Sequence, residues 1–150
     1  RSTLFPYTTL FRSPYRILAS KGRRLDVLLV SDSEYLVKGM REWVPGWEAR
    51  GWRRKGGEII NLELWQRLVK AARQHNTNWM WVRGHQGHAK NEYANDLAVK
   101  SAKEQVNSNG AVPSGLQEWL EKKRTKGHYL EYDPDADFRK AKSALAAPED

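Results

Sequence analysis

Residues 26–31 form a compact apolar run, DVLLVS, between polar flanks. A short run of this kind, without polar alternation, predicts a buried strand of a parallel sheet. Asp32 and Ser33 follow it directly, and the apolar residues after them recur at spacings of three and four, which predicts an amphipathic helix. A strand that leads straight into a helix favours an α/β fold.

The next elements follow from helix caps and breakers. The first helix is expected to end at Pro45-Gly46, because proline removes a helical hydrogen-bond donor. Asn61 is a favourable N-cap for a second long helix. The predicted buried stripe of that helix is Leu62, Trp65, Leu68, Val69 and Ala72.

The second half of the chain is predicted to alternate turns, a strand and helices. Asn76-Thr77-Asn78 predicts a turn, and residues 79–83 predict a second strand that ends in the loop GHQGHAK. Residues 91–103 and the region around Leu116–Leu120 predict helices. From residue 132 onward, the composition indicates a poorly ordered tail.

Composition restricts the compartment and the partner. The chain carries a net charge of +8, which favours a polyanionic partner, although a solvated basic surface explains the same charge. The absence of cysteine excludes disulfides and thiolate metal sites, and it fits a reducing cytoplasm. No apolar stretch reaches the roughly 18 residues of a membrane span, so no membrane partner is expected.

The first thirteen residues differ from the rest of the chain. The segment from Thr3 to Ser13 resembles the translation of a sequencing adapter, and the alternative is a genuine tail. We therefore divide the chain into residues 1–13 as a non-native peptide, residues 14–106 as a partial domain, and residues 107–150 as a linker, a short helix and a tail.

Asp32 and the two histidines of one loop are candidate catalytic or ligand-binding residues. Asp32 stands at the carboxyl end of a predicted parallel strand, where open α/β sheets place their ligands, but helix capping explains it equally well. In the loop RGHQGHAKNE, His85 and His88 lack a nearby third zinc ligand. A histidine in this loop suits proton transfer instead. For His88, capping or loop packing is the stronger alternative.

Three segments resemble ribonuclease HI, the type 1 ribonuclease H with a basic handle: VSDSEYLVKGMREWVPGWEARGW, NLELWQRL and WMWVRGHQGHAKNEYANDLA. The resemblance runs from about Asp26 to Lys103. It implies a ribonuclease H-like mixed sheet with flanking helices, here lacking the first three strands and most of the first helix. It also implies cleavage of the RNA strand in RNA–DNA hybrids with two Mg²⁺ ions, or Mn²⁺, held by four carboxylates.

The resemblance places Asp32 at the third metal carboxylate and Asn95 at the fourth. Residues 1–25 contain no Asp or Glu, so they supply neither of the first two, and this chain is expected to be inactive. Asn95 offers a neutral oxygen, which holds a metal more weakly than a carboxylate does. Asp96 lies about 100° further round the helix. His85 matches the loop histidine proposed to shuttle protons.

The handle, here residues 38–55, is implied to grip the DNA strand. It has six basic residues (Lys38, Arg41, Arg50, Arg53, Arg54 and Lys55) and two acidic ones (Glu42 and Glu48). Gly46 and Glu48 depart from the family pattern, which predicts weaker binding. For Trp43 and Trp65, core packing is the larger part of the role. The predicted substrate contacts are Ser33, Trp43, Trp47, Trp52, Arg53, Arg54, Trp65, Arg83 and Asn91.

These observations predict an α/β ribonuclease H that is cytoplasmic, monomeric and specific for RNA–DNA hybrids. The alternative from another class is a non-catalytic hybrid-binding module, for which Asn95 is the one hint. An integrase or transposase of the same superfold is a third possibility, disfavoured by the tryptophan-rich handle and the GHQGHAKNE loop.

Overall fold

The computed structural model describes residues 15, 18–19, 21–84, 87–105 and 112–146. The predicted non-native peptide therefore lies outside the described residues. The chain divides into two compact units, residues 1–80 and 81–150. The first contains β1 (Asp26–Ser31), α1 (Glu34–Lys38), a π-helical turn (Gly39–Trp43), α2 (Val44–Ala49), α3 (Leu62–Ala72) and most of β2 (Asn76–Trp81). The second contains α4 (Ala89–Glu104), α5 (Leu116–Arg124) and α6 (Ala136–Ala146).

In the described part of the chain, β1 and β2 form a two-stranded sheet. Their first residues lie side by side: Asn76 N–H donates to Leu25 O at 2.8 Å, and Asn76 Nδ2 donates to Asp26 Oδ1 at 3.0 Å. The strands are therefore parallel, as predicted, and Asp26 lies at the starting end of β1. The predicted turn at residues 76–78 is wrong, because these interstrand bonds outweigh the local turn preference of asparagine. Strand β2 accordingly starts three residues earlier than predicted.

The helix after β1 does not break at Pro45, contrary to the prediction. It runs through a π-helical turn, in which Val44 N–H donates to Gly39 O five residues earlier. Pro45 then falls in the first turn of α2, where its missing N–H costs no helical hydrogen bond. The helix ends instead at Ala49, with Arg50 as its C-cap, and the next two residues, Gly51 and Trp52, have left-handed backbones, with φ of 63° and 61°.

The core of the first unit lies between this helix and α3. Trp65 is 4% exposed and packs with Leu68, Val69 and Ala72 against Leu36, Val44 and Trp47. The buried stripe predicted for α3 is thus confirmed, apart from Leu62, which is only partly buried. Asn61 precedes α3 but does not cap it through its side chain, since its backbone is left-handed with φ of 60°.

Gly39 marks the closest approach of the first helix to α3. A Cβ atom at this position would meet three atoms of the Trp65 ring at less than 3.0 Å. We therefore expect Gly39→Ala to lower the free energy of unfolding by about 1–3 kcal/mol, because the buried ring has no space to yield. The measurement is urea denaturation followed by tryptophan fluorescence.

Gly46→Ala is the matched control, since it adds the same methyl group to the same helix. Its Cβ would meet only the Arg50 guanidinium, at 3.2 Å, which is the far end of a flexible side chain. We expect no loss of stability, and a gain of up to about 1 kcal/mol from helix propensity. Equal destabilisation by both variants would contradict the steric explanation for Gly39.

The C-terminal region differs from the prediction of a poorly ordered tail. Residues 136–146 form α6, and Leu120 of α5 is 0% exposed. The predicted helix at 91–103 is confirmed with slightly wider bounds, and the predicted helix near residue 116 is confirmed as α5. None of the helices in the described ranges is both long and apolar enough to cross a membrane.

Candidate functional site

Asp32 follows the last residue of β1 and is exposed. It is not the N-cap of α1. That role belongs to Ser33, whose Oγ accepts a hydrogen bond from Leu36 N–H at 3.3 Å. The capping explanation for Asp32 is therefore removed, and its carboxylate lies at the carboxyl end of a parallel strand, the position at which α/β sheets bind ligands.

Three tryptophans of the first unit form a continuous aromatic cluster with Tyr35. Trp47 contacts Trp43 and Trp65, with ring centroids at 6.0 and 5.6 Å. Tyr35 contacts Trp43 and Trp65, in both cases with centroids at 5.3 Å. Trp65 and Trp47 are buried, whereas Trp43 and Trp52 are half-buried. The expected core role of Trp65 is thus confirmed, and Trp43 retains an accessible face.

This cluster forms one wall of an open cleft of about 290 Å³. Tyr35, Trp43, Trp47, Arg54 and Ile60 line it. Aromatic faces beside a guanidinium group suit the sugars and phosphates of a nucleic-acid strand, because the rings pack on sugars and the cation pairs with phosphate. Arg53, which precedes the lining residue Arg54 in the sequence, is also exposed.

Two lining residues, Tyr35 and Ile60, were not predicted as site residues. Eight residues separate Tyr35 from Trp43, which in a regular α-helix places them roughly 80° apart. The extra residue of the π-helical turn removes most of that offset, and so the two rings meet. A π turn has no clear sequence signature. Ile60 is 66% exposed. Its sequence gave only weak evidence of a site role, namely an apolar residue close to a basic loop.

Glu48, which departs from the family pattern, has a defined partner. Its Oε2 accepts from Arg73 Nη2 at 2.6 Å, and this ion pair links α2 to the end of α3. The Glu48 side chain is 23% exposed, so the pair is partly shielded from solvent. Glu48 therefore links the handle to the end of α3. It also lowers the net positive charge of the handle.

In the second unit, His88 caps α4. Its Nδ1 accepts from Asn91 N–H at 3.3 Å, which confirms the predicted capping role. Its Nε2 lies 2.9 Å from Asp137 Oδ2. The predicted substrate contact Asn91 is therefore engaged through its backbone, and Arg83 before the loop is exposed. His85 lies outside the described residues.

Asn95 and Asp96 are both exposed on α4, but they have different surroundings. Asp96 Oδ2 accepts a hydrogen bond from the Trp119 indole of α5 at 2.9 Å. Consecutive helical positions are about 100° apart, so Asn95 occupies a different side of α4 from the residue that contacts α5. Asn91 and Asn95 are four residues apart and share a helix face.

No group of three or more His, Cys, Asp or Glu side chains within the described ranges is placed to hold a metal ion. A two-ion centre needs clustered anions, since two dications repel each other at close range. The described residues therefore do not make up such a centre by themselves. Among the described residues, Asp32 has an exposed carboxylate at the carboxyl end of β1.

Comparisons with known proteins agree with this arrangement. The RNase H family model matches residues 14–103, more than half of the chain. The ribonuclease H of Methylococcus capsulatus is 43% identical over 94 residues, which are 62% of this chain and 61% of the relative. That of Pelobacter propionicus is 46% identical over 79 residues, or 52% of this chain and 48% of the relative.

A solved structure shares the fold. The crystal structure of LC9-RNase H1, described as a type 1 RNase H with the type 2 active-site motif, superposes with a TM-score of 0.65 at 49% identity. The superposition covers 75% of this chain and 54% of that one.

These matches, together with a strand followed by an exposed aspartate and then a helix, define an α/β protein of the ribonuclease H class. The chain belongs to the RNase H family. Within that family it is similar to ribonuclease HI, as the sequence predicted. It spans about half to three fifths of the length of the curated relatives it matches.

Proposed function

We propose that this chain is the hybrid-binding portion, and part of the catalytic portion, of a ribonuclease that cleaves the RNA strand of RNA–DNA hybrids. The observation that carries the proposal is the cleft in which Trp43 and Trp47 lie beside the Arg54 guanidinium. The family membership supports the reaction. The proposal includes a monomeric, cytoplasmic enzyme, in keeping with a chain that has no cysteine.

The handle recognises a duplex by its backbone. Arg41, Arg53, Arg54 and Lys55 are exposed and form no ion pair with another described residue. Their charges are therefore available to phosphate oxygens, which carry no base identity. The aromatic wall of the cleft packs against sugars. Ser33 and Arg83 are proposed as further contacts, at the start of α1 and before α4.

For the catalytic portion, we assign Asp32 and Asn95 as metal ligands and His85 as the residue that transfers protons. Divalent ions, Mg²⁺ or Mn²⁺, would activate the attacking water and stabilise the leaving oxygen when bound to a complete set of ligands. Asp32 contributes an exposed carboxylate at the strand end. The engagement of Asp96 with Trp119 supports Asn95, rather than Asp96, as the second position.

The direct test is cleavage of the RNA strand of a labelled hybrid by a chimera. In this chimera, the present chain from Tyr15 onward follows the N-terminal portion of the Methylococcus capsulatus ribonuclease H. Cleavage is expected of the chimera and not of a version with Asp32→Asn. A chimera that folds and binds hybrid but does not cut it supports the non-catalytic binding module, the alternative that Asn95 suggests.

Asn95→Asp in this chimera is expected to raise the initial rate at limiting magnesium by about tenfold, with a smaller gain at saturation. A carboxylate carries a negative charge that an amide lacks, so it holds the ion more tightly, and a gain of about 1.4 kcal/mol corresponds to the tenfold change. The measurement is initial rate against magnesium concentration.

Asp96→Asn is the matched variant, since its amide oxygen still accepts from the Trp119 indole. We expect it to leave the magnesium dependence within about twofold of the parent chimera, because a group that does not bind the metal contributes no ligand charge. If Asp96→Asn instead abolishes cleavage while Asn95→Asp changes nothing, the ligand is Asp96 and the register is wrong by one residue.

A further inference from the structure

Helix α5 packs against α4 through contacts of Trp119 with Asp96 and Tyr93. The Trp119 indole N–H donates to Asp96 Oδ2 at 2.9 Å, and its ring lies 5.6 Å from that of Tyr93. The Tyr93 hydroxyl in turn accepts from Gly115 N–H at 3.0 Å, just before α5 begins. Leu120 on the same helix is fully buried. The segment thus has both an apolar anchor and directional hydrogen bonds.

The connection between α5 and α6 contacts the same part of α4. Tyr129, which has a left-handed backbone with φ of 57°, packs against Trp119 with ring centroids 5.7 Å apart and the rings tilted by 31°. Arg124 fixes this turn by donating to Tyr129 O at 3.4 Å and Tyr132 O at 3.0 Å. Burial, followed by a hydrogen bond with the Glu92 carboxylate, raises the pKa of the Tyr129 phenol.

Glu92 joins this turn to the loop before α4. Its Oε1 accepts from Gly87 N–H at 3.2 Å, and its carboxylate lies close enough to the Tyr129 phenol to raise the pKa of that hydroxyl. A single acidic side chain therefore connects the loop, the helix and the C-terminal region.

A further contact comes from α6. Because His88 Nδ1 accepts from Asn91 N–H, the neutral ring carries its proton on Nε2 and donates it to Asp137 Oδ2, 2.9 Å away. Both ring nitrogens are then fixed. The His88 side chain is 14% exposed and Asp137 37%, so the pair is partly shielded from water. Asp137 thereby holds the residue that caps α4.

We propose that residues 112–143 act as a brace that sets the position of α4 and of the loop before it, with Asp137 and Trp119 as its positioning residues. These contacts fall on residues 88–96, the stretch that carries Asn91 and Asn95. The family match ends at residue 103, so the brace lies outside the matched domain. Its consequence for cleavage rests on the function proposed above.

The first test uses the 150-residue chain and does not depend on activity. Asp137→Ala is expected to accelerate amide hydrogen exchange at Asn91 and Glu92 by about tenfold or more, since it removes a charge-assisted hydrogen bond to the capping residue. Asp137→Asn keeps an acceptor for His88 Nε2–H and is expected to restore slow exchange. Trp119→Phe, which keeps an aromatic side chain but loses the indole N–H that donates to Asp96, is expected to accelerate exchange around Asp96.

Glu118→Ala is the matched control within the brace. Glu118 pairs only with the exposed Lys122 of the same helix, at 2.7 Å. It is expected to leave exchange in α4 unchanged. Unchanged exchange in Asp137→Ala overturns the proposal. Equal acceleration in the Ala and Asn variants, or at every amide of the unit, also overturns it, because the effect would then be general stability.

The second test uses the chimera. Asp137→Ala is expected to lower kcat by about tenfold with a smaller change in KM for hybrid, because most of the proposed duplex contacts belong to the first unit and only Arg83 and Asn91 belong to the second. Asp137→Asn is expected to recover the rate. If the chimera cleaves hybrid and Asp137→Ala has no effect on kcat, the brace has no catalytic role although the proposed function stands. If no chimera cleaves, the proposed function fails, whereas the exchange result still decides whether the brace positions α4.

Discussion

The 150-residue chain, incubated with an RNA–DNA hybrid and magnesium, is expected to show no cleavage, while the chimera cleaves readily. The difference should be at least about 10³-fold, since losing even one group that stabilises transition-state charge costs about 10²–10³. Among the residues matched to the four metal carboxylates, this chain has Asp32 and the neutral Asn95, and residues 1–25 contain no Asp or Glu. The measurement is release of labelled RNA fragments over time.

The control for this experiment is Asp32→Asn in both proteins. A trace of host nuclease would give a rate that this variant does not change, and that rate is the background. Magnesium-dependent cleavage by the 150-residue chain that disappears in Asp32→Asn would contradict the assignment of the metal ligands, because one carboxylate would then be sufficient.

The parts of the fold that the sequence predicted correctly are those set by local apolar pattern. Strand β1 has the predicted bounds, Asp26–Ser31, because a continuous apolar run between polar flanks has few other solutions. Helix α3 was predicted from its stripe for the same reason. His88 was correctly given a capping role, since a side-chain acceptor before a helix has free backbone N–H groups to bind.

The errors occur where non-local or subtle backbone effects prevail. Asn76 was predicted to lie in a turn, but its bonds to Leu25 and Asp26 across 50 residues and more place it in a strand. The same limitation hid the aromatic cleft, because the π-helical turn changes which side chains share a face. Helix α6 is short, alanine-rich and held by partners such as His88, which no local pattern reveals.

The candidate site was predicted almost entirely from the family resemblance. Without the resemblance, ligand binding and helix capping explained Asp32 equally well. The structure separates the two explanations, because Ser33 is the residue that caps the helix. Spacing alone left open whether residue 95 or residue 96 occupies the fourth metal position. The hydrogen bond from Trp119 of α5 to Asp96 favours Asn95, because it engages Asp96 with α5. Partners that lie far away in sequence thus supply the information that spacing lacks.

Binding of a hybrid duplex to the 150-residue chain is expected to weaken by about 10²-fold between 50 and 200 mM salt. Arg41, Arg53, Arg54 and Lys55 are the handle cations whose side chains make neither an ion pair nor a hydrogen bond with another described residue, whereas Lys38 pairs with Glu34 and Arg50 Nε donates to Arg53 O. Four phosphate contacts give a slope of log affinity against log salt of roughly −3.6, since each contact releases about 0.9 counterion. Fluorescence anisotropy with labelled duplexes of several sequences measures the slope, and affinities should differ little between sequences.

Replacing Arg53 and Arg54 with Ala is expected to reduce the steepness of this slope by roughly 1.8, because two of the four contacts are lost. Lys70→Ala is the matched control: Lys70 is an exposed cation of the same unit, on α3 and outside the handle, and its removal should leave the slope unchanged. Trp43→Ala should weaken binding with the slope retained, since ring packing on sugars releases no counterions. A slope that is insensitive to Arg53 and Arg54, or an affinity that depends strongly on base sequence, would show that the duplex does not bind at the handle.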